Sequence, residues 1–263
     1  MPSVVKTVAW ACLLFLAGCS QRPIERVEWT TMGTVAAVQW KADGHDYRPA
    51  VETVKGIFAQ VETLLNAHDP ESELSRLAAE DDAIVLARCD RLVRPCYEAA
   101  FRLRDETGGV FNPRWRGPKT MDLGAIAKGF AVDLASAALT NLPASAEVLV
   151  DLGGNLKCVC GTWSTAIESQ DVQPSTFNIQ RSTFNLQPSF ACATSGEYYR
   201  GHHIKDGRTG GDIASTAYSV TVVHPDSAML ADGLSTVLFI LGRERGEVFL
   251  KRAYPTARAI WLR

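Results

Sequence analysis

At 263 residues, 46% hydrophobic and 21% charged, the chain has ordinary globular composition and is long enough for one large domain or two small ones. Its 27 basic and 29 acidic residues give a formal net charge of −2, so no global field exists to hold nucleic acid or an anionic membrane surface. Any phosphate has to be bound locally.

The chain opens with a targeting signal. Lys6 supplies the positive start, residues 7–17 form an apolar run too short to span a bilayer, and the run ends in Leu16-Ala17-Gly18-Cys19. That ending resembles the bacterial lipobox, in which small residues allow cleavage before an acylated, typically palmitate-bearing cysteine. Residues 1–18 therefore read as a lipoprotein signal peptide, 19–27 as an anchor linker and 28–263 as the folded domain. The expected location is the cell envelope, lipid-anchored at Cys19 and facing the periplasm or the exterior. Beyond it lie Cys89, Cys96, Cys158, Cys160 and Cys192. An odd set cannot all pair, and Cys158-x-Cys160 lacks the second pair that zinc spacing requires.

Residues 28–40 are β-rich and contain Thr31-Met32-Gly33-Thr34, which predicts an early strand with a close backbone approach at Gly33. A helix follows over 49–67, where Val51, Val54, Ile57, Phe58, Val61, Leu64 and Leu65 recur at helical period. Residues 73–79 make a short helical turn, and 91–107 another helix closed by Gly108-Gly109. A basic, irregular segment, 114–120, leads to a helix over 125–139. Strands are expected at 147–152, 155–160 and 163–168, and 175–189 reads as a surface connection or a strand pair. Then come a strand at 218–223, helices at 227–241 and 244–253, and a closing strand at 257–262. This order implies an α+β domain, a mixed sheet with helices.

Three groups of residues carry chemistry. Residues 122–133 place Gly124, Lys128 and Gly129 across a loop-to-helix junction, where free N–H groups and the positive helix end favour an anion. This is not a P-loop, because no Gly-Lys-Ser/Thr ending is present. Residues 193–196 and 202–210 form a second polar, glycine-rich cluster; adjacent His202 and His203 would face opposite ways in a strand, which argues against a two-histidine metal site. Asp232 and Thr236 lie one helical turn apart on one face, so a hard cation could bridge their oxygens. One Asp and one Thr make a poor cage, which suits a metal arriving with a phosphorylated ligand.

The order of Thr31-Met-Gly-Thr, Ser72-Glu-Leu-Ser-Arg-Leu, Phe111-Asn-Pro, the 122–133 segment, Asp151-Leu-Gly-Gly-Asn, Ala193-Thr-Ser-Gly, His202-His-Ile-Lys-Asp with Arg208-Thr-Gly, and Ala231-Asp-Gly-Leu-Ser-Thr resembles the FAD:protein FMN transferase (ApbE) family. The matches run from Thr31 to the end. The resemblance implies an ApbE-like catalytic domain that transfers FMN from FAD, with Mg2+, to a threonine hydroxyl of an acceptor protein and releases AMP. The implied acceptor is an exported domain of a membrane redox protein. By position it implies FAD contacts at Met32, Val110, Phe111, Asn112, Asp122, Lys128 and Ile213. Magnesium would be held by the main-chain oxygen of Ala125 and the side chains of Asp232 and Thr236. Ser235 stands where some members carry a second Asp, and His203 is the candidate for proton handling.

Two departures stand out. Only residues 114–121 separate Pro113 from Asp122, where the family usually carries several tens, including a tryptophan-containing loop near the flavin. Asp206-Gly207-Arg208-Thr209-Gly210 replaces the usual Asp-Pro-Arg-Thr-Gly. The phosphate and metal end reads as complete and the isoalloxazine end as stripped. Two rival readings therefore stand beside transfer: hydrolysis of FAD to FMN and AMP, and a flavin-binding lipoprotein without catalysis.

Overall fold

The computed structural model describes residues 22–169, 180–196, 204–213 and 219–262. Cys19, His202 and His203 lie outside them. A two-stranded hairpin, β1 (Ile24–Thr31) and β2 (Thr34–Lys41), comes first, so β1 takes in Ile24 to Val27, residues read from the sequence as linker. The single strand expected over 28–40 is thus two strands. Met32 and Gly33 both have positive φ, +49° and +66°, the combination that closes a two-residue type I′ turn between Thr31 and Thr34. A methionine rarely adopts that conformation, which is why the turn is not apparent in the residue types.

Four helices follow: α1 (Arg48–Leu65), α2 (Glu73–Leu77), α3 (Asp82–Arg88) and α4 (Arg94–Glu106). Helix α1 follows its apolar period, burying Val51, Val54, Phe58, Val61 and Leu65, each worth roughly 1.5–3 kcal/mol when fully removed from water. Helix α3 has too few residues to show a period and was not expected. After α5 (Ala127–Ala138) come β3 (Val148–Leu152), β4 (Asn155–Cys160), the hairpin β5 (Trp163–Ser169) and β6 (Gln180–Leu186), then β7 (Ala191–Gly196) and β8 (Ser219–His224). Helices α6 (Ala228–Leu241) and α7 (Arg243–Ala253) precede the closing β9 (Arg258–Leu262). Residues 193–196, read from the sequence as part of a glycine-rich cluster, belong to strand β7.

The main sheet runs β1-β2-β3-β4-β7-β8-β9. Each of its pairings is antiparallel, so the expected mixed sheet has one pairing direction. Alternation sorts its side chains. Val148, Val150 and Leu152 of β3 enter the main core beneath the helices, whereas Leu149 joins Cys158, Trp163, Leu186 and Cys192 in a smaller cluster under the β5–β6 hairpin. The five described cysteines are free thiols. Helices α5 and α6 lie against each other and against β3, β4, β7 and β8, and their facing edges carry the candidate site.

Candidate functional site

Close approach of two helices builds the site. A Cβ placed on Gly129 of α5 would lie 2.2 Å from the carbonyl oxygen of Ala228 and 2.8 Å from Cβ of Asp232, so only glycine lets α6 come this near. Asp133, one turn further along α5, fixes the register. Its carboxylate accepts the Ser227 hydroxyl (2.8 Å) and the amides of Ala228 (2.8 Å) and Met229 (2.9 Å), capping α6, and Lys157 of β4 pairs with it at 2.7 Å. The last residue of the 122–133 motif is therefore a clamp between the two helices.

Within that clamp Asp232 is 6% exposed. Its Oδ2 accepts the Gly129 amide at 3.0 Å, and Lys128 Nζ stands 3.7 Å away. Burial pushes the Asp232 carboxyl above the usual carboxylate range, against the pull of Lys128 and the Gly129 amide. The sequence alone suggests an accessible Asp away from packing; the structure buries it. It also engages one of the helix-end amides expected to hold a ligand anion, since Asp232 is itself an anion at the α5 N-terminus.

Lys128 Nζ also donates to the Gly124 carbonyl (2.6 Å), and the Gly124 amide donates to Asp122 Oδ1 (2.8 Å). Asp122, the turn containing Ala125, Lys128 and Asp232 thereby form one connected group, with Arg116 3.6 Å from Asp122. On the far side of Asp232 come hydroxyls. Ser195 Oγ of β7 lies 2.8 Å from Ser235 Oγ and 3.3 Å from Thr236 Oγ1, and Ser235 donates to the Asp232 carbonyl at 2.8 Å. Ser235 is fully buried and engaged inside the fold, whereas Thr236 is half-buried. Ser195 is the residue that sequence reasoning passed over; its motif was visible, but its neighbour across the fold was not.

The donor set is oxygen throughout: one carboxylate, hydroxyls, and the carbonyls of the 124–126 turn. Among the described residues no three His, Cys, Asp or Glu side chains gather around a point. That combination fits a hard cation that keeps water or phosphate oxygens in its shell, and does not fit a soft or self-sufficient metal centre.

The remaining expected contacts form a second group. The Gly207 amide donates to the Val110 carbonyl (3.0 Å), and Asn112 Nδ2 donates to the Gly207 carbonyl (3.0 Å). A Cβ on Gly207 would lie 2.6 Å from both Asn112 Cβ and the Gly109 carbonyl oxygen. Val110 and Phe111 are buried, which leaves Asn112 and the main chain to face a ligand. Ile213 packs partly buried against the core just past this turn. Arg114 pins the short 114–121 segment: its guanidinium donates to the carbonyls of Ala78, Glu80 and Pro118 and to Asp82. Trp115 lies in this segment, with the Arg116 guanidinium 4.5 Å from its ring centroid. Met32 stands at the tip of the β1–β2 hairpin, partly buried against the core; its link to the Asp232 group rests on sequence alone.

Comparison with known proteins gives the family. The sequence profile of the ApbE family matches residues 114–261. A FAD:protein FMN transferase of Vibrio cholerae serotype O1 is 27% identical, aligned over 91% of this chain and 88% of its own. One from Haemophilus influenzae is also 27% identical over 90% and 87%. Among solved structures, the flavin transferase ApbE from Vibrio cholerae superposes with a TM-score of 0.75 at 23% identity, covering 91% of this chain and 94% of that one. The apo flavinyl transferase ApbE of Pseudomonas stutzeri does so at 0.73 and 22%, covering 92% of each chain. With the profile matching more than half its length, the chain belongs to the ApbE family.

Proposed function

We propose that this chain transfers FMN from FAD to a threonine hydroxyl of an acceptor protein, releasing AMP. The observation that carries this reading is the pairing of Lys128 with Asp232 at the α5–α6 contact, one helical turn before Thr236 in α6, in a chain of this family. Asp232, Thr236 and the Ala125 carbonyl would hold a magnesium ion, which when bound neutralises charge on the pyrophosphate. Lys128 adds positive charge on the same side. Asp122, Asn112, the main chain at Val110 and Phe111, Met32 and Ile213 orient the flavin nucleotide. The acceptor hydroxyl attacks the FMN-side phosphorus, the anhydride bond to the AMP oxygen breaks, and His203 takes the hydroxyl proton.

The envelope location belongs to the same proposal. Cys19 carries the lipid after removal of residues 1–18, holding the domain where exported redox proteins present their flavinylation segments. No helix among the described residues is long and apolar enough to cross a membrane, and the lipobox reading supplies the attachment instead. Cys19→Ala should accumulate as an unprocessed, unlipidated form; normal processing with unchanged membrane attachment would remove this part.

Incubation of the protein with FAD, magnesium and an acceptor peptide tests the central claim. Covalent flavin with AMP supports transfer, free FMN with AMP means hydrolysis, and unchanged FAD means binding alone. Asp232→Asn keeps the side-chain shape and an acceptor for the Gly129 amide but removes the one carboxylate of the 231–236 motif. AMP release should drop at least tenfold at limiting magnesium, the equivalent of about 1.4 kcal/mol, and recover partly with excess. Normal turnover by that variant at limiting magnesium would exclude the cation assignment.

A further inference from the structure

The hydroxyls beside Asp232 have a direction that can be deduced. Each of Ser195, Ser235 and Thr236 owns one hydroxyl proton. A carbonyl oxygen can only accept, so the 2.8 Å contact from Ser235 Oγ to the Asp232 carbonyl uses the Ser235 proton. In the 2.8 Å contact between Ser195 and Ser235, the donor is then Ser195. Ser195 has no second proton to give, so in its 3.3 Å contact with Thr236 it accepts. The chain of protons runs Thr236 to Ser195 to Ser235 to the Asp232 carbonyl. Ser195 is 8% exposed and Ser235 fully buried, so bulk water does not compete freely for these bonds, and the order persists because reversing either hydroxyl–hydroxyl link leaves the next contact as two oxygens facing each other with no proton between them.

We propose that Ser195 is a positioning residue for the cation site: by accepting the Thr236 proton it turns a lone pair of Thr236 Oγ1, rather than its hydrogen, toward the metal. This deepens the assignment of Thr236 as a ligand and rests on it. It also accounts for the serine at 235. A carboxylate there could accept the Ser195 proton too, but would put a second negative charge against Asp232 in a buried setting; the serine relays the proton onward without adding charge.

Mn2+ titration by electron paramagnetic resonance in the presence of saturating ADP reads the site without turnover. Ser195→Ala should weaken Mn2+ binding roughly fivefold, the effect of one misdirected hydroxyl, while the thermal midpoint of the metal-free protein changes little. Thr236→Val should weaken binding by a similar factor. The double variant should be no weaker than Thr236→Val alone, because Ser195 acts only through Thr236. Unchanged Mn2+ binding in Ser195→Ala, or independent multiplication of the two effects, would overturn the proposal. If Ser195→Ala does not fold, Ser235→Ala breaks the next link, and the same cycle against Thr236→Val decides. A wild-type protein that binds no Mn2+ beside ADP would remove the ligand assignment together with the relay, whereas tight wild-type binding with an unaffected Ser195→Ala removes the relay alone.

Discussion

The two ends of the site are held in different ways. At the α5–α6 contact the backbone of one helix touches the other at Gly129, and Asp133 locks the register with three hydrogen bonds to the start of α6. Asp232 is buried between them and has no room to move. At the other end, residues 110–121 and 204–213 are turns that brace each other, and one guanidinium, Arg114, ties the short segment to the carbonyls of Ala78 and Glu80 and to Asp82. The first end is specified by packing and tolerates almost no change. The second is specified by a few hydrogen bonds, and this chain has rebuilt it around fewer residues. The buried charge therefore sits on a rigid pair of helices, while the other end is a pair of turns.

The largest effect should come from Gly129→Ala. Its methyl would lie 2.2 Å from the Ala228 carbonyl oxygen, a contact relieved only by parting the helices, at roughly 3 kcal/mol. Parting them also draws the Gly129 amide away from Asp232. Urea unfolding should show the loss, and AMP release from FAD should fall with it. A variant of wild-type stability and turnover would mean that the two helices are not held at this distance.

Gly207→Pro probes the other end and restores the residue usual in the family. Here it should do harm, because its Cβ would lie 2.6 Å from Asn112 Cβ and the Gly109 carbonyl oxygen, and the 3.0 Å bond to the Val110 carbonyl is lost. The expected cost is about 2 kcal/mol, concentrated in the 110–112 and 206–210 turns. FAD affinity should fall while ADP affinity holds, since ADP depends on the α5–α6 end. In the unmodified chain ADP should likewise compete for the FAD site much better than riboflavin does. Equal competition by riboflavin would show that the shortened end still grips the isoalloxazine.

How much of this was legible in the sequence follows the same division. Helix α1 is clear because its apolar residues repeat at helical period, and the Asp232-Thr236 spacing follows from the helix read over 227–241. Gly129 was visible as a glycine near a helix start, but not the carbonyl it approaches. Asp133 read as the end of a motif; that it caps a helix beginning near residue 227 is a long-range fact with no local signature. Burial of Asp232 and the neighbourhood of Ser195 were hidden for the same reason, since both depend on which strand and helix come to lie alongside. Local rules found the pieces, and the helix contact decided their chemistry.

The smallest predicted effect concerns pH and the start of α6. His224, the last residue of β8, is 6% exposed, and its Nδ1 accepts the amides of Ser227 (3.1 Å) and Asp226 (3.3 Å). Those bonds require a neutral imidazole. The Asp226 carboxylate, 2.9 Å from the same nitrogen, favours the proton, but burial opposes it more strongly and holds the His224 pKa below the ordinary 6.5. A histidine whose folded pKa lies below its unfolded value stabilises the fold fully above the unfolded value, and that contribution is lost as pH falls from about 6.5 through the folded pKa. His224→Asn leaves an acceptor oxygen near the position of Nδ1 but cannot titrate there. The urea midpoint of the wild type should therefore decline relative to His224→Asn between pH 7 and pH 5, by no more than about the 1 kcal/mol of a single hydrogen bond. All other titrating groups are common to both proteins and cancel in the difference. A gap between the two midpoints that stays constant across that range would mean that the His224 imidazole does not hold the start of α6 in its neutral form.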